Sequence, residues 1–298
     1  KPSSLLQLVE CKMRKLLLAA TVLLLSAFSA NKPFAAVVDA APESLPKCTT
    51  AAPGSGVFCR KTPDKYEVKL YELGLCKAHP FGKVGASTNA TMNKTSCVKI
   101  WDNTSGYTVD VAQLIGGVGA SEAALVGTAY APPEGTYTHP YVIMDTSVAV
   151  KGSHLHSDGN TYYSTSTGST STVVGNFADH AYRMDNFGDS TKCFSGFIDS
   201  PGSTGKIDAF FINNSLTRPD ETDKTAIGGV DRCTHASIPK LVGIINLDDP
   251  FIITPRTSSI KFTFFITDYG LRVQYNAGAP NWIGLGPFVG KFEAINVD

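Results

Sequence analysis

Residues 65–75, KYEVKLYELGL, carry the pattern that decides the fold class of this chain. Apolar and polar side chains alternate along the segment with a period of two, which is the spacing of a β-strand with one buried face. Tyr66, Val68 and Leu70 lie on one side of such a strand, and Glu67 lies on the other. The segment therefore predicts a half-buried strand of an antiparallel sheet.

Similar strand patterns recur through the rest of the chain. Further strands are expected at residues 107–111, 135–152, 207–212, 241–247, 260–267, 271–275 and 282–295. The charged fraction is low, at 17%, and Gly, Ser, Thr and β-branched residues are plentiful, which favours strands over helices. We therefore expect an all-β fold, an antiparallel β-sandwich that forms either one large unit or two smaller ones.

Several local features refine this expectation. Pro140 interrupts one strand region and favours an edge position or a bulge over a central strand, since proline cannot donate to a β-ladder. Residues 268–270, DYG, are typical of a turn that joins its two flanking strands in a closing hairpin. Residues 121–125, SEAAL, favour a short helical turn, whereas residues 164–172, STSTGSTST, favour a linker or a loop at the tip of two strands.

The N-terminal region has the pattern of an export signal. Residues 13–30, MRKLLLAATVLLLSAFSA, combine a basic start, an apolar run and small residues after the run. The run is shorter than the ~20 residues that a membrane-spanning helix needs, so we expect a signal helix cleaved after Ser29 and no stable membrane anchor. Residues 1–12 precede Met13 and are interpreted as a non-native upstream extension.

The remaining segments differ in composition. Residues 31–46 have prolines near both ends and predict a linker or an extended arm, whose apolar residues 34–38 could pair with a sheet edge of this chain or of a neighbour. Residues 47–160 are expected to form a β-sandwich domain. Residues 161–190 predict a linker or loop rich in Ser, Thr and Gly, and residues 191–298 a second β domain or the second half of one sandwich.

Six cysteines remain when Cys11 is set aside with the upstream extension. An even number of cysteines in an exported chain argues for disulfides, although their positions do not choose among the possible pairings. A zinc site is disfavoured, because the chain has no C-x-x-C spacing. We favour pairing in sequence order, which joins Cys48 to Cys59, Cys76 to Cys97 and Cys193 to Cys233.

Charge and motifs exclude several classes of function. Without residues 1–29, the 26 basic and 26 acidic residues fall to 22 and 25, a net charge of −3. So small a charge gives no electrostatic footprint for nucleic acid or for an anionic membrane. The chain lacks a G-x-S-x-G elbow, an H-E-x-x-H motif, a P-loop and a dinucleotide-binding glycine motif. We therefore expect neither an enzyme nor a cofactor, with a hydrolase that uses two scattered carboxylates as an alternative.

The metal candidates are histidines and carboxylates. His154 and His156 are two residues apart, so on a strand they project from one face, and Asp158 would complete a site for a divalent ion. Residues 185–189 and 220–223 form acidic loops with oxygen ligands, which makes calcium the alternative cation. The simpler interpretation is a pair of histidines at the end of a loop and two solvated turns.

Trp101 and Trp282 are the candidates for stacking against a ligand. Flat aromatic faces bind the apolar faces of sugar rings, and Tyr162 and Tyr163 could contribute to the same surface. The alternative is that both tryptophans fill the core of the sandwich.

Residues 133–137, PEGTY, resemble the P-x-G-x-Y turn-to-strand element of transthyretin-like and Ig-like modules in bacterial surface proteins. The resemblance is confined to the short stretch around this element. It implies a β-sandwich that belongs to an adhesin or an appendage.

Together these patterns predict a secreted structural or adhesive protein, located outside the cell, at its surface or in the periplasm. The expected partner is an extracellular or cell-surface protein or glycan, or a second copy of the chain joined by β-strand addition. A carbohydrate-binding module and an exported hydrolase are the alternatives.

Overall fold

The computed structural model describes residues 35–40, 46–51, 54, 56–114, 123–187, 191–199, 205–227, 230–233 and 238–297. Strands dominate these ranges, and the helical segments among them are two 3-10 turns, Val111–Leu114 and Val174–Asn176. The expected all-β fold with antiparallel sheets is therefore confirmed. The signal segment and the upstream extension lie outside the described residues.

Twenty-five strands, numbered in chain order, lie within the described residues. The first thirteen are β1 (Ala35–Ala40), β2 (Phe58–Lys61), β3 (Lys65–Cys76), β4 (Cys97–Asp110), β5 (Ala123–Ala124), β6 (Thr128–Ala129), β7 (Gly135–Tyr137), β8 (His139–Asp145), β9 (Ser147–Lys151), β10 (Ser153–Leu155), β11 (Thr161–Ser164), β12 (Thr170–Ser171) and β13 (His180–Arg183). The others are β14 (Lys192–Cys193), β15 (Phe197–Asp199), β16 (Gly205–Ile212), β17 (Thr222–Asp223), β18 (Thr225–Ile227), β19 (Val230–Arg232), β20 (Lys240–Leu247), β21 (Phe251–Ile253), β22 (Thr257–Thr267), β23 (Leu271–Asn276), β24 (Ala279–Leu285) and β25 (Val289–Asn296).

The largest sheet, here called the main sheet, has nine strands. β3 lies at its centre. One edge of β3 pairs with β4, and the other edge pairs with β8 along residues 70–76 and with β9 along residues 65–67. β8 pairs further with β20, which leads through β16 to β15, whereas β9 pairs with β13. Strands from both sides of residues 161–190 therefore belong to one sheet.

Pro140 lies in a central strand of the main sheet, so its expected edge position is wrong. β8 has β3 on one side and β20 on the other, but its pairing with β20 covers only residues 141–145. Pro140 lies one residue before this pairing begins, so its missing N–H removes no bond to β20.

β1 is part of a four-stranded sheet, here called the β22 sheet, with the order β25-β22-β1-β5. Residues 35–38 pair in parallel with Lys261 to Phe264 of the same chain, which confirms that this arm pairs with a sheet. Ala123 and Ala124 pair with β1 as strand β5, so the helical turn expected there is wrong. The pairing with β1 has overridden the helical preference of these alanines.

The third sheet, here called the β23 sheet, has the order β2-β23-β24. β22 and β23 thus belong to different sheets, and the closing hairpin expected between them is wrong. Residues 268–270 carry the chain from one sheet to the other, with Asp268 at φ 52° and the ring of Tyr269 buried. An alternating pattern with a turn does not show whether the second strand pairs with the first or passes to another sheet. One face of each strand is buried in both arrangements.

Both faces of the main sheet are covered. One face shares a core with the β22 and β23 sheets that includes Tyr66, Leu70, Phe262, Phe264 and Val273. A β-bulge after Leu70 shifts the register of β3, so that Leu73 and Leu75 join the same core. The opposite face carries a smaller core, built on Tyr141, Ile143, Phe210, Val242 and Ile244 and covered by the loop of residues 77–96.

Three disulfides join the pairs that sequence order favours. They link Cys48 to Cys59, Cys76 to Cys97 and Cys193 to Cys233, with sequence separations of 11, 21 and 40 residues. Loops of these lengths correspond to about 3 kcal/mol of stabilisation each in the chain-entropy model. Such bonds persist in an oxidising compartment. Within the described ranges, no helix has the length and apolarity needed to cross a membrane.

Candidate functional site

His154 and His156, the predicted metal ligands, belong to the β10–β11 hairpin, His154 on β10 and His156 in the turn that follows it. Both residues are buried, and Tyr275 contacts both rings, with centroid distances of 5.9 and 5.8 Å. His156 Nδ1 lies 3.3 Å from Oδ1 of Asp158. The other carboxylate oxygen of Asp158 accepts a hydrogen bond from the Tyr162 hydroxyl at 2.8 Å. The three candidates are thus neighbours, but they contact tyrosines and one another.

The chemistry of His154 is that of a neutral core residue. Burial, together with smaller electrostatic contributions from Lys61 and His156, lowers the pKa of His154 to about 4. Nε2 of the neutral ring lies 2.6 Å from the Tyr275 hydroxyl oxygen and forms a hydrogen bond with it. In the part of the chain that the structure describes, no three His, Cys, Asp or Glu side chains are arranged to hold a metal ion.

The acidic loop at residues 220–223 uses its charges within the chain. Asp220 accepts a 2.6 Å hydrogen bond from the Asn89 amide, and Glu221 lies 2.6 Å from the Arg218 guanidinium. Asp223 pairs with Lys192 at 2.5 Å. Residues 188–189 of the other acidic loop lie outside the described residues.

Trp101 is a core residue, so its predicted role in stacking against a ligand is wrong. Its side chain is 1% exposed and packs on the face of β4 that meets the main core. The strand pattern around residue 101 is compatible with either face. Packing in the main core and against Gly127, where a Cβ would lie 2.6 Å from the indole nitrogen, buries this side chain and leaves no room for a sugar ring.

Trp282, in contrast, lies on the outer face of the β23 sheet. It forms a cross-strand row with Gln274 and Phe58, and all three side chains are half-buried. The rings of Phe58 and Trp282 meet edge to face, with centroids 6.4 Å apart. Neither the indole N–H of Trp282 nor the amide of Gln274 has a hydrogen-bond partner among the described residues. The row therefore offers an aromatic surface with free polar groups.

Two glycines define the seat of Trp282. A Cβ at Gly284 would lie 2.2 Å from the indole ring, which therefore extends over Gly284. On the other side, a Cβ at Gly168 would lie 2.8 Å from the indole nitrogen and 3.1 Å from the His180 ring. Gly168 belongs to the Ser- and Thr-rich segment of residues 164–172. This segment forms a loop at the tip of β11 and β12, which is one of the two structures expected for it.

Arg272 lies in the next row of the same outer face. Its cross-strand neighbours are Arg60 on β2 and Gly284 on β24, so the indole ring that covers Gly284 lies next to Arg272. Arg60 is 4% exposed and stacks on the Tyr269 ring at 4.1 Å. Burial and the charge of Arg60 lower the pKa of Arg272. The guanidinium of Arg272 has no hydrogen-bond or ion-pair partner among the described residues, and its Nε is buried.

A second polar cluster lies beneath the 77–96 loop. His79 Nε2 lies 3.0 Å from the carboxylate of fully buried Asp208, which also accepts a hydrogen bond from the Gly85 N–H at 2.9 Å. The backbone N–H of Phe81 donates to His79 Nδ1, so the proton of the ring is on Nε2 and faces the carboxylate. Asp208 therefore fixes the loop to the main sheet.

Arg218 anchors the same loop from the other side. It is 7% exposed, donates to the carbonyl of Ala86 and to Glu221, and lies over the Phe210 ring at 4.7 Å. The residues of these two clusters are scattered through the sequence. Their roles depend on contacts between distant strands, and the only local signal is a polar residue within an apolar run, as at Asp208.

Comparisons with protein-family models, with curated proteins and with solved structures find no match to this chain.

Proposed function

We propose that the chain is a secreted structural or adhesive subunit of the cell exterior that assembles by β-strand addition. The observation that carries the proposal is the position of β1. Ala35 pairs with Lys261, 226 positions later, and this parallel pairing inserts an N-terminal segment between β22 and β5. The three disulfides and the signal pattern of residues 13–30 support an exported protein.

The side of β22 that pairs with β1 is well suited to accept a strand. Without β1, the backbone of residues 261–264 would become an unpaired edge. This edge borders the main core, because Phe262 and Phe264 are almost completely buried. An equivalent strand from a neighbouring copy would find the same backbone partners, which is the geometry of β-strand addition.

The test measures whether a protein that lacks β1 binds the β1 segment as a separate peptide. A protein that begins at residue 46 should bind a synthetic peptide of residues 31–42, NKPFAAVVDAAP, and the same peptide with Val37→Pro should bind at least tenfold more weakly, since proline removes a backbone donor. Fluorescence anisotropy of labelled peptides measures both affinities, and size-exclusion chromatography shows whether the protein from residue 30 forms oligomers.

The outcome that contradicts the proposal is a folded protein from residue 46 that binds neither peptide and stays monomeric. Circular dichroism and intact-mass measurement of the three disulfides establish that the shortened protein is folded, so a negative result is interpretable.

The second candidate function is carbohydrate binding, which the Trp282 face favours. Phe58 and Trp282 supply aromatic surface, and Gln274 and the indole N–H supply free hydrogen-bonding groups. A glycan array tests this candidate. Binding that Trp282→Ala abolishes supports it, whereas binding that Trp282→Ala leaves unchanged, or no binding at all, contradicts it.

A further inference from the structure

We propose that the outer face of the β23 sheet binds an acidic saccharide, whose anionic group pairs with Arg272 and whose ring packs on Trp282. This inference rests on the carbohydrate-binding candidate above and adds the class of ligand. The residues that define the site are Phe58, Gln274, Trp282 and Arg272, and they are called the anion face below.

The charge of Arg272 is uncompensated among the described residues. Arg60 and Arg272 are direct cross-strand neighbours, and like charges in such positions repel each other. The guanidinium of Arg272 has neither a hydrogen bond nor an ion pair among the described residues. A half-buried cation without a partner reduces stability, and an anion bound from solution would remove this cost.

The planar groups on the face match a carboxylated or sulfated sugar. Guanidinium binds carboxylate and sulfate oxygens through a pair of parallel N–H donors. Gln274, in the row with Trp282, is two residues from Arg272 on β23, so the two rows are separated by about 7 Å. A sugar ring that stacks on the indole thus places an acidic substituent near Arg272, while Gln274 and the indole N–H face its hydroxyl groups.

Specificity for an acidic sugar comes from the anion face and not from the net charge of the protein. The mature chain has a net charge of −3, so a polyanion gains nothing from the protein as a whole. Attraction would come from the anion face itself. The ligand must therefore combine a negative charge with a ring, and inorganic anions alone should bind weakly.

The experiment compares matched sugars by isothermal titration calorimetry. The probes are a galacturonic acid oligosaccharide, the neutral galactose oligosaccharide of equal length, its sulfated form, and inorganic sulfate. We expect the galacturonate or the sulfated probe to bind at least tenfold more tightly than the neutral one, and inorganic sulfate to bind more weakly than either. The preferred acidic probe identifies the anionic group.

Arg272→Met is the central variant. It should reduce affinity for the acidic probe at least tenfold, leave affinity for the neutral probe unchanged, and raise the melting temperature, because it removes an unpaired charge. A purely structural arginine would lower the melting temperature instead. The control is Arg256→Met, since Arg256 is exposed at a turn before β22 and bonds to the Val297 carbonyl.

Gln274→Ala is a second variant that leaves the charges in place, and it should weaken binding of both sugars about threefold. Equal affinity of acidic and neutral probes, or an unchanged affinity in Arg272→Met, overturns the anion face. If neutral sugars bind and Trp282→Ala abolishes their binding, the carbohydrate function stands even where the anion face fails. If no sugar binds, both are overturned.

Discussion

Arg218 and Arg272 are two arginines with a buried Nε, and their surroundings differ. Arg218 donates to a carbonyl and a carboxylate and stacks on Phe210, all within the region under the 77–96 loop. Arg272 lies beside another arginine and has no partner of this kind among the described residues. An arginine with partners holds two segments of a fold together, whereas a buried arginine without them lowers stability, and the proposed acidic ligand would remove that cost.

Two aromatic rings repeat the contrast. Tyr141 lies over Gly74, is buried, and donates a 2.5 Å hydrogen bond to Glu72. Trp282 lies over Gly284, is half-buried, and keeps its indole N–H unbonded within the described residues. The charged and aromatic side chains under the 77–96 loop thus have partners within the chain, although Asp208 Oδ1 and Arg218 Nε are unbonded, whereas Arg272 and the Trp282 indole N–H on the anion face have none among the described residues.

Replacing each arginine by methionine should give opposite effects on stability. Arg218→Met removes a buried cation from a paired site and should lower the free energy of unfolding by about 3 kcal/mol. Arg272→Met removes an unpaired charge and should raise it. Urea denaturation of the oxidised proteins measures both effects. Destabilisation of similar size in the two variants would erase the contrast.

Removing one disulfide should separate stability from binding. Cys76 and Cys97 close the 77–96 loop, and replacing both by alanine should lower the free energy of unfolding by about 3 kcal/mol. The same change should leave the affinity for an acidic saccharide unaltered, because the loop lies on the opposite face of the main sheet from the β23 sheet. Calorimetry of ligand binding below the melting temperature is the check, and a parallel loss of affinity would argue against independent regions.

Acid should destabilise the protein through His154, which lies beneath the inner face of β23. Its pKa of about 4 in the folded protein is below its ordinary value of 6.5, so the unfolded chain binds more protons between these values. Stability is then complete above pH 6.5 and falls by about 2–3 kcal/mol as the pH drops to 4. His139, whose pKa burial also lowers, adds to the slope. His154→Gln should flatten the dependence of the urea midpoint on pH, and an unchanged slope would contradict this assignment.

Gly74 and Gly284, the glycines beneath Tyr141 and Trp282, should show the smallest and most selective effects. Gly74→Ala places a Cβ 2.3 Å from the buried Tyr141 ring and should cost about 1–3 kcal/mol of stability. Gly284→Ala pushes Trp282 toward solvent, so it should cost less stability but weaken sugar binding. Gly243→Ala is the control, since its Cβ would meet only Val142 at 3.4 Å. Thermal melts and calorimetry together distinguish the three.

Local patterns predict many of the strands. The alternation of residues 65–75 predicts β3, because it depends on neighbours in the sequence, and the favoured pairing in sequence order agrees with the three disulfides although the cysteine positions leave other pairings open. Residues 268–270 have the turn composition of a hairpin, so the sequence predicts that β22 and β23 pair with each other. In the structure β22 pairs with β25 and β23 pairs with β2 instead.

The candidate site required the tertiary structure for the same reason. Trp101 and Trp282 are equivalent in the sequence, and only the packing of the sheets shows that Trp101 lies in the main core while Trp282 lies half-buried on an outer face. Arg272 carries no local mark at all. Its significance comes from Arg60, which the β2–β23 pairing places beside it across more than two hundred residues.

The parallel pairing of β1 also sets an order of events in time. The disulfides close loops of at most 40 residues, so their partners meet early, whereas β1 must wait for β22 at the far end of the chain. Contacts over such separations form slowly, because closing a long loop costs entropy before any bond rewards it. During synthesis, β1 of each new molecule therefore has no partner until β22 has formed, and the β22 edge is open for that interval. If copies assemble by strand addition as proposed, the length of that interval, compared with the time between molecular encounters, decides whether a strand closes its own sheet or a neighbour's.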